Sequence, residues 1–392
     1  MIINLPKLRF PEFKREWEEI KLGEVSEKIS DGIHATPKYK DGNDYFFVNG
    51  NNLVNKKIVF NENTKSVPKE EFEKYKKNLG EQTILISING TIGNLAYYNY
   101  EKVILGKSAA YINLKSDIFK EFIYNYLQTH KIHNFFNGEL TGTTIKNLSL
   151  ATLKNTPLFL PDLKEQEKIA SFLSKVDEKI DLLEKNQELW ETYKKGMMQQ
   201  IFSQKLRFKD ENGEDYPDWE EKRLGEVAHF LDGRRIPLKS SDRAKRRGPY
   251  PYYGASGIID YIDDYIFDEE LVLLAEDGAN IITRSSRLAF LAKGKYWVNN
   301  HAHVIKGLPE INQYFLCEQL ERVNYAKYNT GTAQPKLNNK VCLKIPIKIP
   351  KIEEQEKIAS ILSKIDEKIE QLDKELEINR EFKKGLLQQM FC

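Results

Sequence analysis

The sequence predicts two mixed α/β modules joined by an antiparallel two-helix coiled coil, with pseudo-twofold symmetry. Three observations lead to this fold class. One segment occurs twice, each copy has the heptad pattern of a long helix, and the residues before each copy alternate short strand-like runs with turns. At 392 residues, the chain is also too long for one ordinary core.

The clearest duplication lies in the segment 165–202, which begins EQEKIAS. It aligns without a gap to the segment 354–391, at an offset of 189 residues, and more than half of the positions are identical. The match extends upstream, since Pro157 and Pro161 correspond to Pro346 and Pro350. A long repeat of this kind indicates two structurally similar halves.

Shorter repeated segments also occur in each half of the chain. The repeated pairs are Lys7-Leu8-Arg9-Phe10 with Lys205-Leu206-Arg207-Phe208, Trp17-Glu18 with Trp219-Glu220, Leu22-Gly23-Glu24-Val25 with Leu224-Gly225-Glu226-Val227, and Thr141-Gly142-Thr143 with Thr330-Gly331-Thr332. Between them, residues 30–130 and 232–320 share no obvious pattern. A duplicated domain that drifted apart is the alternative, but drift would spread the differences evenly. The pattern favours two modules with the same flanking segments but different central segments, at 30–130 and 232–320.

Each copy of the longer repeat carries apolar residues at alternating steps of three and four. The predicted seam comprises Ile169, Leu173, Val176, Ile180 and Leu183 in the first helix, and Ile358, Leu362, Ile365, Ile369 and Leu372 in the second. A helix of about 37 residues is roughly 55 Å long and cannot bury such a stripe alone. The two copies are therefore expected to pair. Connectivity favours an antiparallel pair, because the first helix leaves module one and enters module two.

The sequence leaves two features of the long helices undecided: what each helix packs against, and what its off-seam apolar residues contact. Each helix could instead pack on its own module, although the seam is long for that arrangement. Phe172, Leu182 and Ile361 lie off the seam and could contact either a partner protein or the modules.

Both modules contain strand-like runs punctuated by turn residues such as Asn89-Gly90. The runs lie at 45–48, 83–88 and 103–105 in module one and at 271–274, 288–291 and 296–298 in module two, and single helices fit 117–130 and 310–322. We therefore expect module one at 1–160, the first long helix at 161–203, module two at 204–349 and the second long helix at 350–392.

The segment best suited to DNA lies in module two, at residues 233–247. It holds seven basic residues against one acid, Asp242, and its glycine and proline residues indicate a loop. Its candidate DNA contacts are Arg234, Arg235, Lys239, Arg243, Lys245, Arg246 and Arg247, followed by Tyr252 and Tyr253. Arginine forks suit phosphates and guanine edges. The alternative is a solvated basic surface without a ligand.

Module one has a weaker counterpart in a short basic stretch that includes His34 and Lys38. Asn49 and Asn51 follow it, and asparagine can pair with adenine, although it is also a common turn residue. The remaining candidate DNA contacts are Lys146 and Lys336.

No catalytic or metal site emerges from the sequence. Asp162 and the segment Asp177-Glu178-Lys179 formally resemble a nuclease pattern, but that segment lies in the heptad helix, and Lys351 replaces Asp162 in the other repeat. His301 and His303 would share a strand face without a third metal ligand nearby, so two polar histidines near a binding surface are the simpler interpretation. No glycine loop of the phosphate-binding type occurs.

Composition sets outer limits on function. The net charge of +2 neither supports nor excludes a nucleic-acid partner. The three cysteines, Cys317, Cys342 and Cys392, have the spacing of neither a disulfide framework nor a zinc site. No segment approaches the ~20 apolar residues of a membrane span. We expect a cytoplasmic protein without a membrane partner.

As a set, the duplicated segments resemble the specificity subunits of type I restriction–modification systems. The resemblance covers essentially the whole chain. It rests on the Trp-Glu…Leu-Gly-Glu-Val opening, the Thr-Gly-Thr segment and the Pro…Glu-Gln-Glu-Lys-Ile-Ala helix start, each present twice. It implies two target-recognition domains, at 1–160 and 204–349, two conserved antiparallel helices and a bipartite, asymmetric DNA target.

The resemblance also implies partners. These are double-stranded DNA, two methyltransferase subunits and restriction (motor-nuclease) subunits, with S-adenosylmethionine, ATP and magnesium bound by the partner subunits and no cofactor in this chain. The chain itself would be a non-catalytic specificity subunit. One alternative is a self-contained enzyme fragment that modifies or cleaves DNA, and another is a scaffold that reads no bases. The family's DNA-contacting residues vary with the target, so the candidate contacts above rest on the chemistry of this sequence.

Overall fold

The computed structural model of the chain describes residues 5–142 and 146–392. Thr143, the last residue of the first repeated Thr-Gly-Thr segment, lies outside the described residues, as do residues 1–4. The chain forms two compact units, and both long helices contribute to both of them. Unit one consists of Met1–Lys185 and Asp373–Cys392, and unit two of Asn186–Leu372.

Unit one contains module one. Its strands are β1 (Glu18–Lys21), β2 (Ser26–Asp31), β3 (Phe46–Val48), β4 (Leu53–Val54), β5 (Lys57–Ile58), β6 (Lys65–Ser66), β7 (Thr83–Ser87), β8 (Leu95–Tyr97), β9 (Val103–Leu105), β10 (Ala109–Leu114) and β11 (Pro157–Leu160). Its helices are α1 (Lys69–Tyr75), α2 (Lys120–Leu127), α3 (His130–Gly138), α4 (Leu150–Lys154) and the first part of the long helix α5 (Leu163–Phe202).

Unit two contains module two. Its strands are β12 (Glu220–Arg223), β13 (Ala228–Phe230), β14 (Arg247–Gly254), β15 (Gly257–Ile262), β16 (Phe267–Asp268), β17 (Leu271–Ala275), β18 (Ala289–Ala292), β19 (Lys295–Val298), β20 (Ala302–Gly307) and β21 (Pro346–Ile349). Its helices are α6 (Leu224–Val227), α7 (Ser240–Arg243), α8 (Asn280–Thr283), α9 (Gln313–Glu321), α10 (Asn339–Cys342) and the first part of the long helix α11 (Ile352–Met390).

The two modules share the topology of one four-stranded sheet, whereas their second sheets have three strands in module one and four in module two. An antiparallel four-stranded sheet has the order β2-β10-β7-β8 in module one and β13-β20-β17-β18 in module two. A second sheet contains one parallel pair, β3 with β9 in module one and β14 with β19 in module two. The strand before each long helix pairs with the strand that opens the module, β1 with β11 and β12 with β21. The central segments of the two modules, 30–130 and 232–320, therefore share a fold although they share no sequence pattern.

The two long helices run antiparallel. The first half of α5 and the last part of α11 belong to unit one, whereas the last part of α5 and the first part of α11 belong to unit two. The predicted fold class of mixed α/β modules with an antiparallel helix pair is thus confirmed. No helix among residues 5–142 and 146–392 is both long enough and apolar enough to cross a membrane.

The predicted seam faces the modules as well as the other helix. In unit one, Ile169 and Leu173 lie in the same apolar cluster as Trp17 of the module and Leu387 of α11. In unit two, Ile358 lies with Trp219 in the corresponding cluster. The buried seam residues are Ile169, Leu173, Ile180, Ile358, Leu362, Ile365 and Leu372, while Val176, Leu183 and Ile369 are half-buried. Helix pairing and packing on the modules, which the sequence presented as alternatives, occur together.

The start of each long helix binds the opening of its unit through an arginine–glutamate pair. Arg9 donates to both oxygens of Glu165 at 2.6 and 2.7 Å, and Arg207 does the same to Glu354 at 3.2 and 2.8 Å. Both glutamate side chains are 1% exposed. A buried carboxylate requires such a partner, which explains why the Lys-Leu-Arg-Phe and Glu-Gln-Glu-Lys segments are repeated together.

The end of each long helix completes the core of the opposite module. Phe391, at the end of α11, packs on Trp17 with ring centroids 6.4 Å apart, and on Phe122 at 5.2 Å. Phe202, at the end of α5, packs on Trp219 at 6.0 Å and on Phe315 at 5.6 Å. Each module therefore draws its core from both helices.

Candidate nucleic-acid interface

The basic loop, residues 233–247, connects β13 to β14 and contains only short regular structure, a 3-10 turn at Asp232–Arg234 and the helix α7. It is fixed to the body of module two at several points. The Trp297 indole N–H donates to the carbonyl oxygen of Ile236 at 2.6 Å, and the Tyr252 hydroxyl accepts from the N–H of Leu238 at 2.9 Å. The loop is therefore held by side chains of strands β14 and β19.

Four cations of the loop bind acids of the same module. Arg234 pairs with Glu269 at 3.2 Å, and Arg235 pairs with Glu276 at 2.7 Å. Arg243 binds Asp260 at 3.0 Å and lowers the pKa of that carboxyl, while Arg246 binds Asp263 at 2.9 Å. These four arginines serve first to shape the loop, because each is held by an intramodular carboxylate.

Three cations of the loop remain available to DNA. Lys239, Lys245 and Arg247 are exposed, and none of them forms an ion pair with any residue in the ranges 5–142 and 146–392. They are the strongest candidate phosphate contacts of module two, since an unpaired exposed cation can replace the counterions of a phosphate.

Two of the predicted DNA contacts require correction. Tyr252 is 0% exposed, so its ring is a core element that supports the loop and not a contact surface. Arg235 is 13% exposed, and its guanidinium donates to Glu276, to the Ala302 carbonyl and to the Asp232 carbonyl. Tyr253 is half-buried against Phe290 and Tyr296. Counting charges along the sequence could not distinguish the paired cations from the unpaired ones.

The candidates of module one lie on several loops. His34 is largely exposed and bonds to Asp31 at 2.7 Å, and Lys38 is exposed close to Glu71. Asn51 is exposed, whereas the Asn49 amide oxygen accepts a hydrogen bond from Ser108 at 2.9 Å. Asn51 is therefore the freer of the two asparagines, and Asn49 has a structural role in its turn.

Thr141 and Thr330, which begin the two Thr-Gly-Thr segments, make equivalent backbone hydrogen bonds. The backbone N–H of Thr330 donates to the carbonyl of Lys336 at 2.8 Å, and that of Thr141 donates to the carbonyl of Asn147 at 3.0 Å. In module two the chain turns so tightly that a Cβ on Gly331 would lie 1.8 Å from the Gln334 carbonyl oxygen. The loops display Lys146 and Lys336, both exposed, and Lys336 also reaches Glu276 at 3.2 Å.

The acids that formally resemble a nuclease pattern have structural partners. The Asp162 carboxylate accepts from the N–H of Glu165 at 3.0 Å, which caps the start of α5. Asp177 is bound by Lys56 at 2.9 Å and by Lys383 at 2.7 Å. Within residues 5–142 and 146–392, no group of three His, Cys, Asp or Glu side chains is arranged to hold a metal ion.

The two histidines of module two differ in environment. His301 is half-exposed and bonds to Asp277 at 2.8 Å. His303 is buried, bonds to Asp232 at 2.7 Å and reaches the Leu337 carbonyl at 2.9 Å. Burial alone would lower the pKa of His303, but its bonded neighbours, chiefly Asp232, raise it to about 10. The imidazole is therefore charged, and both ring nitrogens donate.

Comparison with known proteins identifies the family. The model of the type I restriction modification DNA specificity domain matches residues 14–191 and again residues 216–380, which together make up most of the chain. The chain belongs to this family. Its function is accordingly that of a specificity subunit, which recognises a DNA sequence and has no catalytic activity of its own.

Individual relatives agree with this assignment. The chain is 40% identical over 141 residues to a putative type I restriction enzyme specificity subunit of Haemophilus influenzae, a match that spans 36% of each chain. It is 25% identical to the MjaVIII specificity subunit of Methanocaldococcus jannaschii, with 97% of this chain and 92% of the relative covered. The crystal structure of the S subunit of a type I system from M. genitalium has the same fold, with a TM-score of 0.65, 20% identity and 99% of both chains covered.

Proposed function

We propose that module one and module two each read one half of a bipartite, asymmetric DNA target. The observation that carries this proposal is that one sheet topology presents different side chains in the two modules. Module two offers an arginine-rich loop between β13 and β14, and module one offers lysine, histidine and asparagine after β2. Two different surfaces on one scaffold suit two different half-sites, because base edges in the major groove differ in their donors and acceptors.

The unpaired cations favour phosphate contacts flanking each half-site. Lys239, Lys245 and Arg247 would provide them in module two. Lys336, on the neighbouring loop, is exposed and would add a contact although it also pairs with Glu276. His34, Lys38, Asn51 and Lys146 would contribute in module one. Phosphate contacts position a protein on the duplex, whereas base contacts specify the sequence.

The partner subunits would dock on the exposed faces of the long helices. Leu189 and Tyr193 of α5 are 59% and 51% exposed, and Ile378 and Phe382 of α11 are 67% and 51% exposed. These two pairs occupy equivalent positions in the repeat. One such pair in each unit supports two copies of one partner, which we propose to be the methyltransferase subunit. Restriction subunits would join the same complex, and S-adenosylmethionine, ATP and magnesium would be bound by the partner subunits.

The off-seam apolar residues can now be separated. Phe172 packs edge-on against Phe10, with ring centroids 5.9 Å apart, and Ile361 packs against the core of unit two. Leu182, by contrast, is 68% exposed. Phe172 and Ile361 therefore contact the modules. Of these three off-seam residues, Leu182 is the one whose side chain is exposed.

Methylome sequencing of cells with and without the gene tests the proposal directly. Co-expression with the methyltransferase subunits should create methylation at one bipartite motif whose two halves differ. Replacing residues 232–320, the diverged contents of module two, with the corresponding segment of a relative should change one half of the motif and preserve the other. A change in both halves would contradict the assignment of one module to one half-site.

The isolated chain provides the complementary test. The purified protein should bind the bipartite duplex but should neither methylate nor cleave it. Either activity in pure protein would favour the alternative, a self-contained DNA-modifying or DNA-cleaving enzyme fragment.

A further inference from the structure

Equivalent positions of the two four-stranded sheets carry opposite kinds of side chain. The residue after β7 is Ile88, whose carbonyl accepts from Leu148 N–H at 2.8 Å, and the residue after β17 is Glu276, whose carbonyl accepts from Leu337 N–H at 2.7 Å. The backbone N–H of Ile88 donates to the carbonyl oxygen of Ser108, and that of Glu276 donates to the carbonyl oxygen of His301, both at 2.9 Å.

Ala110 lies two residues after Ser108, and His303 lies two residues after His301. Ala110 lies opposite Asp31 in the pairing of β10 with β2, and His303 bonds to Asp232, the second residue after β13. The apolar pair Ile88 and Ala110 of module one is therefore replaced by the ionic pair Glu276 and His303 in module two.

The ionic pair joins three segments of module two. His303 binds Asp232, which directly precedes the basic loop, and also the Leu337 carbonyl, which follows the Thr-Gly-Thr loop. Glu276 binds Arg235 of the basic loop through one oxygen at 2.7 Å and Lys336 of the Thr-Gly-Thr loop through the other at 3.2 Å. These contacts connect both exposed loops to the end of strand β17.

The network is charged and mostly shielded from solvent. The side chains of His303, Glu276, Arg235 and Asp232 are 1%, 12%, 13% and 16% exposed. Burial would raise the pKa of Asp232 and of Glu276. The bonds of Asp232 to His303 and of Glu276 to Arg235, with the charges of these partners, instead hold both pKa values below their usual range. The two carboxylates therefore stay ionised at neutral pH.

We infer that Glu276 and His303 are positioning residues that fix the basic loop and the Thr-Gly-Thr loop of module two in the arrangement that reads its half-site. The inference rests on the proposed division of the target between the modules. An apolar pair fills the same two positions in module one, so the fold does not require charge there. Buried ion networks are often no more stabilising than well-packed apolar residues, but they define geometry through directional bonds.

The double variant Glu276→Ile/His303→Ala tests the inference, because it introduces the residues of module one at the same positions. Expressed with its methyltransferase subunits, the full chain is assayed for methylation of two duplex libraries, each randomised in one half of the target. We expect discrimination in the module-two half-site to fall by roughly tenfold or more, the effect of losing one well-placed base contact. Discrimination in the module-one half-site should be retained.

Two further variants make the test independent of folding. Glu276→Gln keeps the shape of the side chain but removes its charge, and it should weaken discrimination in the same half-site to a smaller extent. Lys293→Ala is the matched control. This lysine is 66% exposed in the same module and pairs with Glu270, away from the network, so the variant should leave both half-sites unchanged.

The outcomes separate the inference from the function on which it rests. If the parent complex shows no bipartite target, the proposed function fails. If the parent reads both half-sites and the folded double variant reads them equally well, the positioning role is overturned. If the double variant does not fold, Glu276→Gln decides: unchanged discrimination overturns the inference, and a loss confined to the module-two half-site supports it.

Discussion

Lys194 of α5 binds Asp366 of α11, with Nζ 2.6 Å from Oδ1, inside unit two. The equivalent residues of the repeat, Lys383 of α11 and Asp177 of α5, form the same pair in unit one at 2.7 Å. Both lysines interrupt the apolar seam, so the sequence alone marks them as breaks. The repeated ion pair instead favours one register for the antiparallel helices, because a shift along the helix axis would break both pairs.

The Lys194 pair should contribute measurably to stability. The Lys194 side chain is 10% exposed, so Lys194→Met leaves Asp366 without its cation, whereas Glu318, 3.4 Å from Lys194, keeps its bond to Arg287 at 2.8 Å. We expect the free energy of unfolding of unit two to fall by about 1–2 kcal/mol, less than for a fully buried pair, because the Asp366 side chain is 39% exposed. Urea denaturation followed by tryptophan fluorescence measures the change. Lys293→Met is the control, since the Lys293–Glu270 pair of the same unit is exposed and should be worth less than about 1 kcal/mol.

The salt dependence of DNA binding should identify the phosphate contacts. Replacing Lys239, Lys245 and Arg247 together with Ala should lower the slope of log affinity against log salt concentration by up to about three, close to one per contact. Fluorescence anisotropy with a target duplex at several salt concentrations gives the slope. Lys222→Ala, an exposed lysine of β12 paired with Glu220, should leave the slope unchanged. Unaltered affinity and slope in the triple variant would show that the loop is only solvated.

The stability contribution of His303 should depend on pH. Burial lowers the pKa of His303, but the hydrogen bonds and charges of Asp232 and Cys342 together raise it from the ordinary value of 6.5 to about 10. A raised pKa contributes stability that is fully present below pH 6.5 and is lost as the pH rises through about 10. The difference in unfolding free energy between the wild type and His303→Asn should therefore shrink over that interval. Urea denaturation at a series of pH values measures it, and a difference that grew with pH would contradict the charged imidazole.

Partner stoichiometry should respond to the two exposed apolar pairs. Leu189→Asp/Tyr193→Asp and Ile378→Asp/Phe382→Asp each place charges where a partner would bury apolar surface. We expect each double variant to lose one methyltransferase subunit, with native mass spectrometry of the complex as the measurement. Leu182→Asp provides the control, because Leu182 is equally exposed but has a polar counterpart, Gln371, in the other repeat.

The target gap should follow the length of the helices. The boundary between the units crosses α5 after Lys185 and α11 after Leu372. Inserting seven residues at both points adds about 10 Å, or roughly three base pairs at about 3.4 Å each. We expect unchanged half-sites with a longer gap in the methylome. A folded, active variant with the original gap would show that the helices do not set the spacing.

The sequence was most informative where structure follows from burial. Apolar runs predicted the strands at 103–105 and 271–274, because buried strands have few polar positions, and the heptads predicted both long helices. The helix expected at 117–130 corresponds to α2, which is shorter, and a second helix that the sequence did not predict, α3, begins at His130. Thr129 caps the second, since its hydroxyl accepts from the N–H of Ile132 at 3.4 Å, and this residue was the available signal.

Apolar patterns in the sequence could predict neither the common fold of the two modules nor the ion pairs of the basic loop. Ile88 and Glu276 occupy equivalent positions in the two modules, as their backbone hydrogen bonds show. Their side chains differ so much that the sequence does not reveal this equivalence. The acids that bind Arg243 and Arg246 each lie 17 residues further along the chain, on and after β15. A charge count over the loop alone therefore overstated the free positive charge.

The aromatic contact between Trp17 and Phe391 has a consequence for synthesis of the chain. Tyr126 of module one also donates its hydroxyl hydrogen to the carbonyl of Cys392, 266 residues away. At about 5–20 residues per second, the ribosome completes module one on the order of tens of seconds before it delivers the residues that cover Trp17. During that interval the nascent module exposes an aromatic surface, whereas module two receives the end of α5 before its own strands are made. The first recognition module to be translated is therefore the last to reach its native core.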